Sequence, residues 1–105
     1  MKRGDIVLCD FGKPIGHEPG LLKPAVVLSV AEINNHDIAI VAPVTRTKRG
    51  YPTHVEFENP LPVTSYIQCE LLRAVSRKRI IKPLGRLDEI AMMKVGIILR
   101  RIMAL

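Results

Sequence analysis

The chain has 105 residues, enough for one domain over residues 1–105 and no more. Apolar residues make up 48% of it, yet there are only two Phe, two Tyr and no Trp, so the core must be aliphatic. A formal charge of +6 on so small a body points to a polyanionic partner, nucleic acid first, with a surface kept basic for solubility as the plainer alternative.

Cys9 and Cys69 are far apart and form no CxxC pair, which argues against a disulfide framework and a zinc site. Both read as small buried hydrophobes in a reducing compartment. The opening Met1-Lys2-Arg3-Gly4-Asp5 leads into a short apolar run, Ile6-Val7-Leu8. No signal-peptide core or membrane span fits there, so a cytoplasmic location off the membrane is expected.

Strand signals dominate the first two thirds. Residues 5–11 are short, apolar and β-leaning, and residues 12–20 form a Gly- and Pro-rich loop. Residues 25–30 and 38–44 are apolar runs flanking Asn34-Asn35, a natural hairpin turn. The loop over residues 45–51 carries Arg46, Lys48 and Arg49. Residues 53–57 alternate, with Val55 and Phe57 on one face. A turn at 59–62 precedes a strand over 65–75, and Ser76 suits the N-cap of one helical turn. Gly85 should break the segment that follows. Asp88 then sits where a helix N-cap belongs, and Ile90, Ala91, Val95, Ile98, Ile102 and Leu105 recur at helical spacing. Met92, Leu99 and Met103 widen that apolar surface, so the helix should fill a deep core or also meet a partner. Short antiparallel strands followed by one long helix read as a mainly β fold, a small barrel or half-open barrel with the helix packed across it.

Several segments, in register from about residue 3 to the last helix, resemble the MazF/PemK toxin family. They are Arg3-Gly4-Asp5-Ile6-Val7 with Asp10-Phe11; Gly16-His17-Glu18-Pro19-Gly20 with Lys23-Pro24-Ala25-Val26-Val27-Leu28-Ser29; and Pro43-Val44-Thr45 with Tyr51-Pro52-Thr53-His54-Val55. Ser65-Tyr66-Ile67 with Glu70, Arg73, Arg79 and Leu84-Gly85-Arg86-Leu87 completes the set. The resemblance implies an SH3-like antiparallel β-barrel with a C-terminal helix, a homodimer, and sequence-specific cleavage of single-stranded mRNA. It also implies a cognate antitoxin whose tail occupies the RNA groove. In that family an Arg before the Pro-Ala-Val strand and a Thr after the third strand carry catalysis, and a Ser in the Gly-x-Glu-x-Gly loop helps hold substrate. Here those positions are Lys23, Thr45 and His17, so two of the three depart from the pattern.

The chemistry asks for few groups. Metal-free cleavage uses the ribose 2′-OH against its own phosphate and needs proton transfer and charge stabilisation. The acidic residues are scattered and no His pair has ligand spacing, so no metal or other cofactor is expected. Lys23 offers a cation, Thr45 a hydroxyl donor and His17 an imidazole able to accept or give a proton. Gly16, Glu18, Gly20, Arg46, Lys48, Tyr51, Glu70 and Arg73 are candidates for RNA contact, with Phe11 and Tyr51 as the rings on which a base could stack. Taken singly, each has a plainer reading: a solvated Lys23, a loop-capping Thr45, a spectator His17. Glu70 and Arg73, three apart in a strand, should face opposite sides unless a bulge intervenes. The rival functions are an RNA-binding relative weakened in catalysis, and a gyrase inhibitor of the CcdB kind. The latter resemblance would need a Trp near the C-terminus, and the chain has none.

Overall fold

The computed structural model describes residues 1–13, 15–17 and 20–105. Its seven strands are β1 (Asp5–Asp10), β2 (Leu22–Val27), β3 (Ile38–Thr45), β4 (His54–Phe57), β5 (Ser65–Gln68), β6 (Arg73–Ser76) and β7 (Ile80–Arg86). A single turn, α1 (Ala31–Asn34), joins β2 to β3, and α2 (Glu89–Met103) ends the chain. All pairings are antiparallel, in the order β4-β5-β3-β2-β1-β7, with β6 also on β3.

The apolar runs in β1 and β2 are continuous because both faces of those strands are covered. Ile6, Val26 and Leu28 enter one core cluster with Ile67, Ala91 and Val95 beneath α2. Val7, Cys9, Ala25 and Val27 enter a second, with Val41 and Val75, on the other side. Burying one such side chain stabilises the fold by roughly 1.5–3 kcal/mol. The expected caps hold: Asp88 accepts a hydrogen bond from the Ala91 N–H at 2.8 Å, and Ser76 Oγ accepts from the Lys78 N–H at 3.2 Å ahead of a short 3₁₀ turn, Arg77–Arg79.

The structure corrects five expectations. The sheet curls but stays open, its order beginning at β4 and ending at β7. Where closure would be needed, the Arg77–Arg79 turn carries the chain from β6 to β7 in place of a ladder. Asn34-Asn35 is not a hairpin turn. Asn34 is buried, its Nδ2 donating to Ser29 O at 2.9 Å and Met1 O at 3.2 Å, while its Oδ1 accepts from Ser29 Oγ. A buried amide needs such partners, and the α1 turn supplies the backbone to make them. The strand expected over 65–75 is cut by a 3₁₀ turn, Cys69–Leu71.

Gly85 does not end its segment but lies inside β7. Its φ is +145°, and a Cβ there would stand 2.5 Å from the Pro60 ring, so glycine is what lets the chain pass. The apolar stripe of α2 is also rotated from the expected one. Ala91 and Val95 are buried, with Met92, Ile98 and Leu99 beside them, whereas Ile90 is 67% exposed.

Two prolines mark one end of the central ladder. Pro24 in β2 pairs with Leu8, and Pro43 in β3 pairs with Ala25. The β2–β3 register runs Val27↔Val41, Val26↔Ala42 and Ala25↔Pro43.

Candidate active site

Continued past Pro43, that register sets Lys23 across from Thr45. Both residues line a cleft of about 280 Å³, together with Arg46. Lys23 also lines a second cleft of about 580 Å³, shared with Gly16, His17, Tyr51, Glu70 and Arg49. Lys23 therefore stands where the two clefts meet. Alternation explains the face they occupy: Val44, Val55 and Ile67 point under α2, so their strand neighbours Thr45, His54 and Gln68 turn the other way.

Loop 12–21 is pinned at its base. The Phe11 N–H donates to Leu21 O at 2.9 Å, and the Leu21 N–H donates to Gly12 O at 2.6 Å. Leu21 takes a φ of 61°, uncommon for a leucine, which turns the chain sharply into β2 just ahead of Lys23. Exposed Gly16 and His17 are thereby held at the cleft that Lys23 lines. Thr45 Oγ1 accepts a hydrogen bond from the Thr47 N–H at 3.2 Å, which leaves its own O–H available to donate.

Glu70 is the most constrained group in the larger cleft. Its Oε1 accepts from Thr53 Oγ1 at 2.8 Å, and its Oε2 lies 2.9 Å from His54 Nε2. Burial pushes the carboxyl up, but the hydrogen bonds from His54 and Thr53 outweigh it and hold the group below its ordinary value. Tyr51 is half exposed, its ring centroid 5.0 Å from that of His54.

Several expected contacts lie elsewhere. Phe11 is no stacking platform: it is 3% exposed and packs in the second core cluster, with the Arg73 guanidinium 5.8 Å from its ring centroid. A bulky ring at a strand end is drawn into the core when both sheet faces are covered. Arg73 and Glu70 do not share a strand, since the 3₁₀ turn puts Glu70 in the cleft and returns Arg73 to β6. Arg73 and Arg79 stand at the end of β1, Arg73 over the Phe11 ring and Arg79 Nη1 donating to Asp10 O at 3.3 Å, and line neither cleft. Lys48 is exposed and, like Gly20, lines neither cleft; Glu18 lies outside the described residues. Sequence reasoning missed Thr53, His54 and Gln68. The signal for His54 was present, because Val55 and Phe57 facing the core force it to the other side.

Comparison with known proteins shows the family and the fold. A family model described as the PemK-like, MazF-like toxin of type II toxin–antitoxin systems matches residues 2–103. Endoribonuclease MazF of Staphylococcus epidermidis is 34% identical over 101 residues, covering 90% of this chain and 84% of that protein. The crystal structure of MazF from Deinococcus radiodurans superposes with a TM-score of 0.91 at 27% identity, covering 100% of this chain and 97% of that one. A MazE–MazF crystal structure from the same organism gives 0.85 at 27% identity, covering 100% and 96%. Matched over nearly its whole length, the chain belongs to the PemK-like, MazF-like toxins of type II toxin–antitoxin systems.

Proposed function

We propose that this toxin, an endoribonuclease, cuts single-stranded mRNA at a short sequence without a metal ion, in the groove whose two clefts meet at Lys23. The observation that carries the reading is the position of Lys23 on the wall of both clefts, one of which Thr45 also lines. In the reaction the 2′-oxygen attacks its own phosphorus and the 5′-oxygen leaves, giving a 2′,3′-cyclic phosphate and a 5′-hydroxyl. Lys23 neutralises one phosphoryl oxygen, and its compact ammonium does so without the two-point grip of a guanidinium. Thr45 donates a hydrogen bond to the charge that builds there. His17 accepts the 2′-hydroxyl proton or returns one to the leaving oxygen. Arg46 and Arg49, exposed beside the clefts, attract the flanking phosphates.

The partners follow from the same surface. A basic groove draws acidic side chains as well as phosphates, so the cognate antitoxin competes with RNA for it. The exposed apolar residues of α2, among them Ile90, Met93 and Ile97, support a homodimer. Among the described residues no helix is long and apolar enough to cross a membrane, and we place the protein in the cytoplasm.

The test is incubation with a long phage RNA, with and without EDTA, followed by mapping of the cut ends. Cyclic phosphate ends formed in EDTA are expected. Activity lost in EDTA and restored by Mg²⁺ would overturn the mechanism. For the site residues, His17→Ala and Lys23→Ala should each lower the cleavage rate while RNA is still bound, and Lys23→Arg should keep or gain rate.

A further inference from the structure

We propose that Gln68 makes the larger cleft a base-reading subsite that takes a base with an exocyclic amino group, adenine first, and turns away uracil. This rests on the reading of the groove as the path of RNA. Gln68 is 5% exposed, yet it lines the cleft. Its neighbours Ile67 and Cys69 pack under α2, so its side chain goes to the opposite face, beside His54 in the β4–β5 register and one alternation from Tyr66, which faces Thr45. Its buried Oε1 has no hydrogen-bond partner among the described residues. Buried amides are otherwise satisfied, so an orphaned one at a cleft wall awaits a partner from outside the chain.

The surroundings select that partner. A primary amide offers an acceptor beside a donor, and a half-turn of the amide exchanges the two ends. Adenine answers both, its amino group donating to the carbonyl while a ring nitrogen accepts from the amide N–H. Close by, Glu70 adds a second acceptor that favours amino hydrogens and repels the carbonyl oxygens of uracil. Its two oxygens are already tied to Thr53 and His54, so it cannot offer guanine the open two-oxygen fork that its N–H edge would need. Cytosine presents the same edge, an amino group beside a ring nitrogen, and ranks between adenine and uracil because its single ring offers less surface to stack. The half-exposed Tyr51 ring gives the base a surface to lie on.

The test is fluorescence anisotropy with labelled octamers of A, C and U on the wild-type chain, Gln68→Leu and Gln68→Met. The wild type should hold the A octamer about tenfold tighter than the U octamer, the worth of one two-point base contact. Both variants should lose that ratio while binding the U octamer as before. They should also melt no lower than the wild type, because each removes an unsatisfied buried amide. A ratio unchanged in either folded variant, or an equal loss on all three octamers, would overturn the inference. Cut-site mapping on long RNA separates the two readings. A wild type that never cuts but keeps a Gln68-dependent A-over-U ratio faults the nuclease mechanism alone. A wild type that cuts at a motif which Gln68→Leu leaves unchanged faults the subsite alone.

Discussion

The two faces of β3, β4 and β5 are built from alternate residues of the same strands, and they have opposite characters. Toward α2 the strands send Val44, Val55 and Ile67 into an apolar cluster closed by Ala91 and Val95. Away from it they send Thr45, His54 and Gln68, polar groups of which two keep a buried atom without a partner among the described residues. One face is therefore optimised for packing and the other holds unspent hydrogen-bonding capacity. Around the Val44–Ile67 pairing residue parity separates packing from chemistry, whereas farther along β3 Ala39 and Val41 pack on the second face too. Substitutions on the two faces at the site end should therefore affect different measurements.

The largest effect is expected on the helix face. Ile67→Ala leaves a cavity at a fully buried position and should cost about 2–5 kcal/mol in urea unfolding. Next come the groove residues. Thr45→Ala should lower the cleavage rate about a hundredfold, some 3 kcal/mol in the barrier, with the urea midpoint nearly unchanged. A large loss of stability from Thr45→Ala, or of rate from a folded Ile67→Ala chain, would break the division. Gly85→Ala, which puts a Cβ against the Pro60 ring at a positive φ, should cost about 1–3 kcal/mol without altering the cut motif.

Smaller effects sharpen the contrast. The hydrogen bonds to Glu70 hold its folded-state carboxyl below the ordinary value of 4.5, so folding favours the ionised form. That stabilisation is present above the ordinary value and is lost as pH falls from there through the folded-state value. Unfolding midpoints measured from neutrality into acid should show this decline, and Glu70→Gln should flatten it. On the helix face, burial pushes the Cys69 thiol up to about 12. A thiol-specific reagent at pH 8 should therefore leave Cys69 unmodified until the chain is unfolded in denaturant.

How much of this could be read in the sequence depends on whether the signal was local. Two-sided burial shows as an unbroken apolar run, so β1 and β2 were legible, and the caps at Ser76 and Asp88 rest on contacts within three residues. The β7 strand was not legible, because Pro83 and Gly85 argue against a strand and only distant β1 makes it one. Asn34 looked like turn chemistry because its partners Ser29 and Met1 are gathered by the fold. In the site, Lys23 and Thr45 were singled out through family register, and the structure lines one cleft with both. Phe11 was misplaced because its position beside a loop conceals that it points inward. Gln68 was missed because a polar residue in a strand looks like solvent-facing surface until burial is known.

The two prolines at the head of the β2–β3 ladder have a consequence for how the groove breathes. Pro24 faces β3 and Pro43 faces away from β2, and neither has an amide hydrogen, so the β2–β3 ladder that is regular at Val26↔Ala42 lacks a donor at its next bonded position, toward the site. The site end of the pair should fray while the far end stays closed. Amide hydrogen exchange should record it along β3, with Val44 exchanging well before Ala42, while Lys23, paired with Cys9 on β1, stays protected. A groove that loosens at its reactive end over a rigid floor can admit a strand of RNA without unfolding the sheet that carries it.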